Sequence, residues 1–75
     1  MLDFPIVPPI TMKNAPERKL TTLNDARALV DELLAERRFM KWREMLERLD
    51  AVKTEEDAIE AIGALRELLV MEHMA

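Results

Sequence analysis

The sequence predicts a small α+β domain in which a short β-hairpin is followed by three α-helices. All four prolines lie within the first 16 of 75 residues, and the one glycine is Gly63. Beyond Pro16, apolar residues recur at helical spacing. Two Thr-x-x-Asp pairs stand where helices are expected to begin. The chain therefore divides into a proline-punctuated, extended beginning and a helical remainder.

The predicted hairpin consists of two strands of about four residues each. Residues 10–13 form the first strand, with Ile10 and Met12 on one face because strand side chains alternate. Residues 18–21 return as the second strand, with Leu20 facing inward. This pairing places the three apolar side chains on the side of the sheet that the helices are expected to cover.

A turn over residues 14–17 is expected to join the strands. Asparagine favours the start of a turn and proline presets φ at the next positions, which fits the order Asn-Ala-Pro-Glu. The prolines further upstream limit strand formation, because proline donates no hydrogen bond to a sheet. Residues 1–9 are therefore expected to form a proline-rich extended arm, and residues 10–75 the folded domain.

The first helix is predicted over about residues 23–37. Thr22 and Asp25 form a capping-box pattern, in which the hydroxyl accepts from a backbone N–H and the carboxylate accepts in return. The apolar residues of this helix form one stripe: Ala26, Leu29, Val30, Leu33 and Leu34.

The apolar stripe changes sides near residue 38, and this decides whether the helix continues. At about 100° per residue, the first stripe centres near roughly 10° and the next near roughly 180°. The second stripe consists of Phe39, Trp42, Leu46 and Leu49. An unbroken helix over residues 23–49 would expose one of the two stripes. A break near residues 37–39 lets both face one core, which favours a second helix over about residues 39–51.

The third helix is predicted over about residues 55–72. Thr54 and Asp57 repeat the capping-box pattern, and acids fill the first turn, where the helix dipole favours them. Its apolar residues span an arc of roughly 220°, which is wider than a core-facing stripe needs. Either this helix lies centrally in the fold, or part of its surface is an interface. Gly63, unfavourable within a helix, indicates the close approach of another helix from this chain or from a second copy.

Composition excludes several functional classes. The chain has no cysteine and one histidine, so thiolate metal sites and disulfides are excluded, and few side chains remain for catalysis. The net charge is −4, and from residue 50 onward seven acids face two bases, which disfavours general nucleic-acid binding. The start lacks a basic segment, and no apolar run approaches the roughly 18 residues of a membrane span. We therefore expect a cytoplasmic, non-enzymatic protein without a cofactor or metal.

The candidate chemical groups all have simpler explanations. His73 lies two residues from the end and is expected to be solvated at a frayed terminus. The acids at 55–57 fit helix capping better than a cation site, since they lack the ligand spacing of a calcium loop. Glu44 and Glu47 lie one turn apart, but Arg43 and Arg48 between and beside them indicate a solvated face with ion pairs.

A basic cluster surrounds Phe39 and Trp42 and supplies the alternative function. Aromatic stacking together with phosphate pairing would suit a small regulatory nucleic-acid-binding protein. Against this, both aromatic residues share the stripe of Leu46 and Leu49, which favours a place in the core. The basic residues of the cluster are Arg37, Arg38, Lys41 and Arg43.

The stretch from residue 16 to residue 34 resembles a small bacterial family known as a domain of unknown function. Members of that family place a short strand pair before a helix, followed by a tryptophan and two further helices. Leu23, Ala26, Leu33 and Trp42 occupy matching positions here. The proline after the tryptophan and a later cysteine are missing, and the proline-rich start differs. The resemblance covers about half the chain and implies an architecture without an activity.

The sequence as a whole favours action through protein–protein contact, with self-association as a homodimer. The over-wide apolar arc of the third helix motivates this, since so small a domain has little apolar surface to spare. Methionines near the chain end can supply an adaptable apolar surface. The predicted interface residues are Ala61, Ala64, Leu68, Met71 and Met74.

Overall fold

The computed structural model describes residues 3–13 and 17–75 and shows a two-stranded antiparallel sheet followed by three helices. This confirms the predicted α+β, mostly helical architecture. The elements in chain order are β1 (Pro5–Thr11), β2 (Lys19–Thr22), α1 (Leu23–Arg37), α2 (Met40–Asp50) and α3 (Glu55–Met71). The turn expected over residues 14–17 falls mostly outside the described residues.

The hairpin buries the three apolar side chains that the sequence places on its inner face. Ile10 lies opposite Leu20 and Thr11 opposite Lys19, and the side chains of Ile10, Met12 and Leu20 are buried. The register then shifts, because Pro5 lies opposite Thr22 and the five steps from Pro5 to Ile10 face only two on β2. Strand β1 therefore bulges across its proline-containing part.

The structure corrects the boundary expected between an N-terminal arm and the domain. Strand β1 begins at Pro5, and Ile6 belongs to the buried core. The segment also caps α1: the Leu23 N–H donates to the Phe4 carbonyl at 2.8 Å, and the Asn24 N–H donates to Asp3 Oδ1 at 3.0 Å. At least residues 3–9 are thus part of the folded domain, because they satisfy helix N–H groups that have no partner within the helix.

The capping box of α1 is present in full and holds a carboxylate in its charged form. The Asp25 N–H donates to the Thr22 hydroxyl at 3.3 Å, and the Thr22 N–H donates to Asp25 Oδ2 at 3.3 Å. The Thr21 hydroxyl and N–H also donate to this oxygen, at 2.8 and 3.1 Å. These hydrogen bonds, that from the Thr21 hydroxyl foremost, lower the pKa of Asp25 below its usual value.

The capping box predicts a pH dependence of stability. Asp25 has a lower pKa in the folded than in the unfolded chain, so its contribution is present above the unfolded pKa of about 4 and is lost as pH falls through the folded pKa. We expect Asp25→Asn to lower the free energy of unfolding by about 1 kcal/mol at pH 7. The difference from the wild type should shrink towards pH 2, as measured by urea unfolding across this range.

Asp31→Asn is the matched control, because it removes the same charge from an exposed position of α1 outside the cap. This variant should leave the stability at pH 7 within about 0.5 kcal/mol of the wild type. If the difference in the free energy of unfolding between Asp25→Asn and the wild type persisted unchanged at pH 2, the charge of the Asp25 carboxylate would not be its cause.

The chain breaks between α1 and α2 where the apolar stripe changes sides, as predicted. Helix α1 ends at Arg37, and Arg38 adopts a left-handed conformation with φ of 54°, its N–H bonded to the Leu34 carbonyl at 2.9 Å. Phe39 is extended and caps α2 without a side-chain hydrogen bond. A non-glycine residue is unfavourable in this conformation, so the gain from burying both stripes outweighs a local cost.

Helix α3 lies centrally, in contact with β1, α1 and α2. Five of its residues are buried: Ala58, Ala61, Ile62, Leu65 and Leu69. Its cap differs from that of α1. The Asp57 N–H donates to the Thr54 hydroxyl at 3.2 Å, but the Asp57 carboxylate accepts from the Lys53 N–H at 3.3 Å rather than from Thr54.

The end of the chain folds back onto the domain, which corrects the expected frayed terminus. His73 is exposed and left-handed with φ of 60°, and its N–H donates to the Val70 carbonyl at 3.0 Å. The Met74 N–H donates to the Leu69 carbonyl at 2.8 Å, and the Met74 carbonyl accepts from the Lys13 N–H at 2.8 Å. This is a Schellman motif, and it ties the C-terminus to the end of the first strand.

Candidate interaction surface

The solvent-facing side of α3 carries apolar residues that the rest of the described chain leaves uncovered. Ile59 is 66% exposed, and Val70 and Met71 further along the helix are also exposed. At about 100° per residue, Ile59, Gly63 and Val70 fall within roughly 40° of one another, with Arg66 close beside them. Most of the wide apolar arc of α3 therefore faces the core, and one edge of it is exposed to solvent.

A groove runs between this face of α3 and strand β1. Its volume is about 370 Å³. The strand contributes residues 4–8, among them Val7, which is 83% exposed. The helix contributes Ile59, Ile62, Gly63 and the flanking charges of Glu55 and Arg66. The floor is therefore apolar, while an acid and a base stand at different ends of the helical wall.

Arg66 joins the two walls of the groove. Its Nη2 donates to the Pro8 carbonyl at 2.7 Å. One hydrogen bond uses one of five guanidinium donors, so Arg66 is held in place and still has donors for a further acceptor. Glu55 lies eleven residues earlier on the same helix and forms no ion pair among residues 3–13 and 17–75.

Gly63 has no packing role within the described part of the chain. A Cβ built on it would meet no atom within 4 Å. Approach of another element of the described chain therefore does not explain this glycine. The glycine also shapes the groove, since a side chain there would fill it.

The structure separates the five predicted interface residues into three groups. Ala61 and Met74 are buried within the domain, so they are removed from the expected surface. Ala64 and Leu68 are half-buried and pack against the core on the side of α3 that meets α2. Met71 alone is freely exposed, at 72%. The part of α3 that the sequence analysis selected thus lies on a face turned partly towards α2.

Only one of the two aromatic residues in the basic cluster, Phe39 and Trp42, is accessible for stacking on a base. Trp42 is completely buried, as its place in the apolar stripe predicted, whereas Phe39 is 54% exposed and does not belong to the core. Lys41 lies over both rings, with Nζ 5.3 Å from the Phe39 centroid and 5.9 Å from that of Trp42, and it pairs with Glu72 at 2.8 Å. The expectation that Phe39 lies in the core is wrong because it precedes α2 and does not share the helical phase.

The other basic residues of the cluster leave a modest positive surface. Arg37 and Arg38 are exposed at the end of α1, and Arg43 pairs with Glu47 at 3.8 Å, as expected for a solvated face. Arg38 and Arg43 flank a shallow depression with Phe39 and two further apolar residues. Nucleic-acid binding would depend on Phe39 alone for stacking, which makes it the weaker alternative.

The described residues were also considered as a metal site and as a membrane-spanning segment. Within these residues there is no group of three or more His, Asp or Glu side chains that could hold a metal ion. The Asp57 carboxylate is engaged in capping α3, as described above. In the same part of the chain, no helix has the length and hydropathy needed to cross a membrane.

Comparisons with family models, curated proteins and solved structures give no match to this chain. The resemblance to a small bacterial family therefore stays a prediction.

Two surface residues that sequence reasoning missed are Val7 and Ile59. Ile59 belongs to the wide apolar arc predicted for the third helix. Its position on the helical wheel, about 100° from Ala58 and away from the core, indicates that its side chain is exposed. Val7 lies in the segment treated as an arm, and only the pairing of β1 brings it beside α3.

Proposed function

We propose that this chain is a non-enzymatic domain that acts through protein–protein contact, and that it self-associates through the solvent face of α3. One observation carries the proposal: Ile59 and Val70 are exposed on the same face as Gly63, where a side chain would have open space around it. Glycine costs about 1 kcal/mol in a helix relative to alanine. No contact within the described chain compensates for this loss of helix stability. Contact with another chain would compensate for it.

The alternative interaction surface at the α2 side of α3 has less support. Leu68 packs partly against the core, and the shallow groove near it is lined by charged residues of both helices. A charged residue at position 68 would therefore weaken folding as well as any association. Ile59 is the better position for a test, since its side chain is mostly in solvent.

We expect Ile59→Lys to weaken self-association at least tenfold, because a lysine ammonium would have to be desolvated at the contact. The free energy of unfolding of the monomer should change by less than about 0.5 kcal/mol, as is usual for an exposed position. Light scattering over a concentration series measures the first quantity and urea unfolding of the dilute protein the second.

Ala28→Lys is the matched control, since residue 28 is exposed on α1, outside the groove residues. It adds the same charge and should leave the association constant unchanged. Equal association of the wild type and both variants would count against α3 as the interface, and a wild type that stays monomeric at millimolar concentration would overturn self-association itself.

A further inference from the structure

We infer that the depression at the junction of α1 and α2 binds an acidic peptide segment of another protein, one that carries an apolar side chain between its carboxylates. The volume of this depression is about 470 Å³, and its lining residues are Leu34, Arg38, Phe39, Met40 and Arg43. None of them belongs to α3, so the inference concerns a second surface and does not depend on the proposed self-association.

The apolar part of the depression is open to solvent. Phe39 is 54% exposed and the neighbouring Met40 is 63% exposed, while Leu34 is half-buried and packs against the core. Aromatic residues, methionine and arginine are the residue types enriched at protein–protein contacts. This composition favours a contact in which an apolar side chain of the partner is removed from water.

The backbone at Arg38 indicates a role for its side chain. With φ of 54°, Arg38 adopts the left-handed conformation that glycine or asparagine usually adopts at a helix end. A residue with a Cβ is unfavourable there, and such residues are concentrated at functional sites. The Arg38 guanidinium forms no ion pair among residues 3–13 and 17–75. No charge contact within the described chain therefore explains an arginine at this position.

The charges that line the depression are positive. Arg38 and Arg43 are the charged residues of the lining, and neither is offset by an acid that also lines it. Arg43 does meet Glu47, but its Nε lies 3.8 Å from Glu47 Oε1, and the two side chains are 67% and 71% exposed. An exposed pair at this distance contributes little to stability and leaves most donors of the guanidinium available to another carboxylate.

The other acids near the junction lie outside the depression. Glu72 is engaged in the ion pair with Lys41 described above. Glu36 lines a separate depression on α1, and Glu44 lines the one between α2 and α3. Asp31 stands about 10 Å before the end of α1, two turns of helix away. A carboxylate that enters the depression therefore meets guanidinium groups first.

These features favour a peptide over a nucleic acid. The chain has a net charge of −4, which disfavours a long phosphate backbone, whereas a short acidic segment responds mainly to the charges it contacts. Only Phe39 is accessible for stacking on a base, but an apolar peptide side chain can pack against Phe39 and Met40 together. Arginine and carboxylate form paired hydrogen bonds, so two arginines beside an apolar floor suit acids on both sides of an apolar residue.

Fluorescence anisotropy at low ionic strength tests the inference with the labelled, acetylated and amidated peptide Asp-Glu-Leu-Phe-Glu-Asp. We expect a Kd of about 100 μM for the wild type. Phe39→Ala should weaken binding about tenfold because it removes part of the apolar floor. Arg38→Gly should weaken it about fivefold and also raise the midpoint of thermal unfolding by a few degrees, since glycine suits the left-handed conformation. A purely structural role of Arg38 would not give this opposite pair of changes.

Two controls accompany these variants. Arg48→Gln removes an exposed positive charge from α2 outside the depression, so it should leave the Kd unchanged. A peptide with glycine and serine in place of leucine and phenylalanine keeps the acids but should bind at least about tenfold more weakly, because it has no apolar side chain to bury. Circular dichroism verifies that each variant is folded.

Loss of peptide binding in Phe39→Ala and Arg38→Gly, with retention in Arg48→Gln, supports the inference. A wild-type Kd above about 1 mM, or equal binding by all the proteins, overturns it. Tighter binding of a single-stranded oligothymidine than of the peptide, lost in the same two variants, overturns the peptide as occupant in favour of nucleic acid. Self-association of the wild type that is lost in these variants, as measured by light scattering, overturns it in favour of a second copy.

Discussion

Trp42→Ala is expected to lower the free energy of unfolding by about 3–5 kcal/mol, which would leave so small a domain largely unfolded. Trp42 is completely buried where α2 meets the core, together with Met45 and Leu49. Removing the indole ring would leave a cavity too large for its neighbours to fill. Urea unfolding followed by circular dichroism measures the loss directly.

Phe39→Ala is the matched control for Trp42→Ala, because it removes an aromatic ring three residues away that is mostly in solvent. We expect this variant to stay within about 0.5 kcal/mol of the wild type. Equal destabilisation by the two substitutions would contradict the exposure of Phe39, since it would mean that both rings are buried in the core.

Trp42→Phe tests the contribution of the indole N–H to stability separately from that of the aromatic ring. The Trp42 Nε1 is buried and has no hydrogen-bond partner among the residues that the structure describes. An unsatisfied buried donor is unfavourable, so its removal offsets part of the loss of packing. This variant should therefore cost much less than Trp42→Ala, within about 1.5 kcal/mol of the wild type.

Met74→Ala is expected to cost about 2–3 kcal/mol, although residue 74 is next to the end of the chain. The Met74 side chain is 5% exposed, and its backbone bonds both Leu69 and Lys13. The substitution removes the apolar anchor of the Schellman motif and loosens the C-terminal segment from the first strand. Thermal unfolding, supported by hydrogen exchange at the amide of residue 13, measures the effect.

Met71→Ala provides the comparison for Met74→Ala, because it removes the same side chain from an exposed position three residues earlier. It should leave the stability of the monomer nearly unchanged. If Met71→Ala proved as destabilising as Met74→Ala, the folded-back end would not be the arrangement adopted in solution.

The helices could be predicted from the sequence because their ends and faces depend on residues close together in the chain. Thr22 and Asp25 satisfy each other's backbone N–H groups at the start of α1, which depends only on residues three apart. The break before α2 followed from the phase of the apolar stripe, since two stripes on opposite sides cannot face one core in a single helix. The burial of Ile10, Met12 and Leu20 followed from strand alternation.

The parts that could not be predicted depend on contacts between residues distant in sequence. The segment with Pro5 and Pro8 lacks the local preferences of a strand, yet it pairs with β2 and caps α1. The fold-back at His73 uses a left-handed residue that is not glycine, so composition does not mark it. Its stability comes from Met74 docking and from the bond to Lys13.

For the candidate surface, the sequence by itself determined that α3 carries more apolar area than one core-facing stripe. It also determined that Gly63 lies within this helix, because both facts follow from the order of residues. Only the tertiary structure decided which edge of the arc is left uncovered. Helix α2 covers the side with Ala64 and Leu68, whereas the bulged strand β1 approaches Ile59 and Gly63 without filling the space between them, since its prolines limit pairing and leave Val7 in solvent.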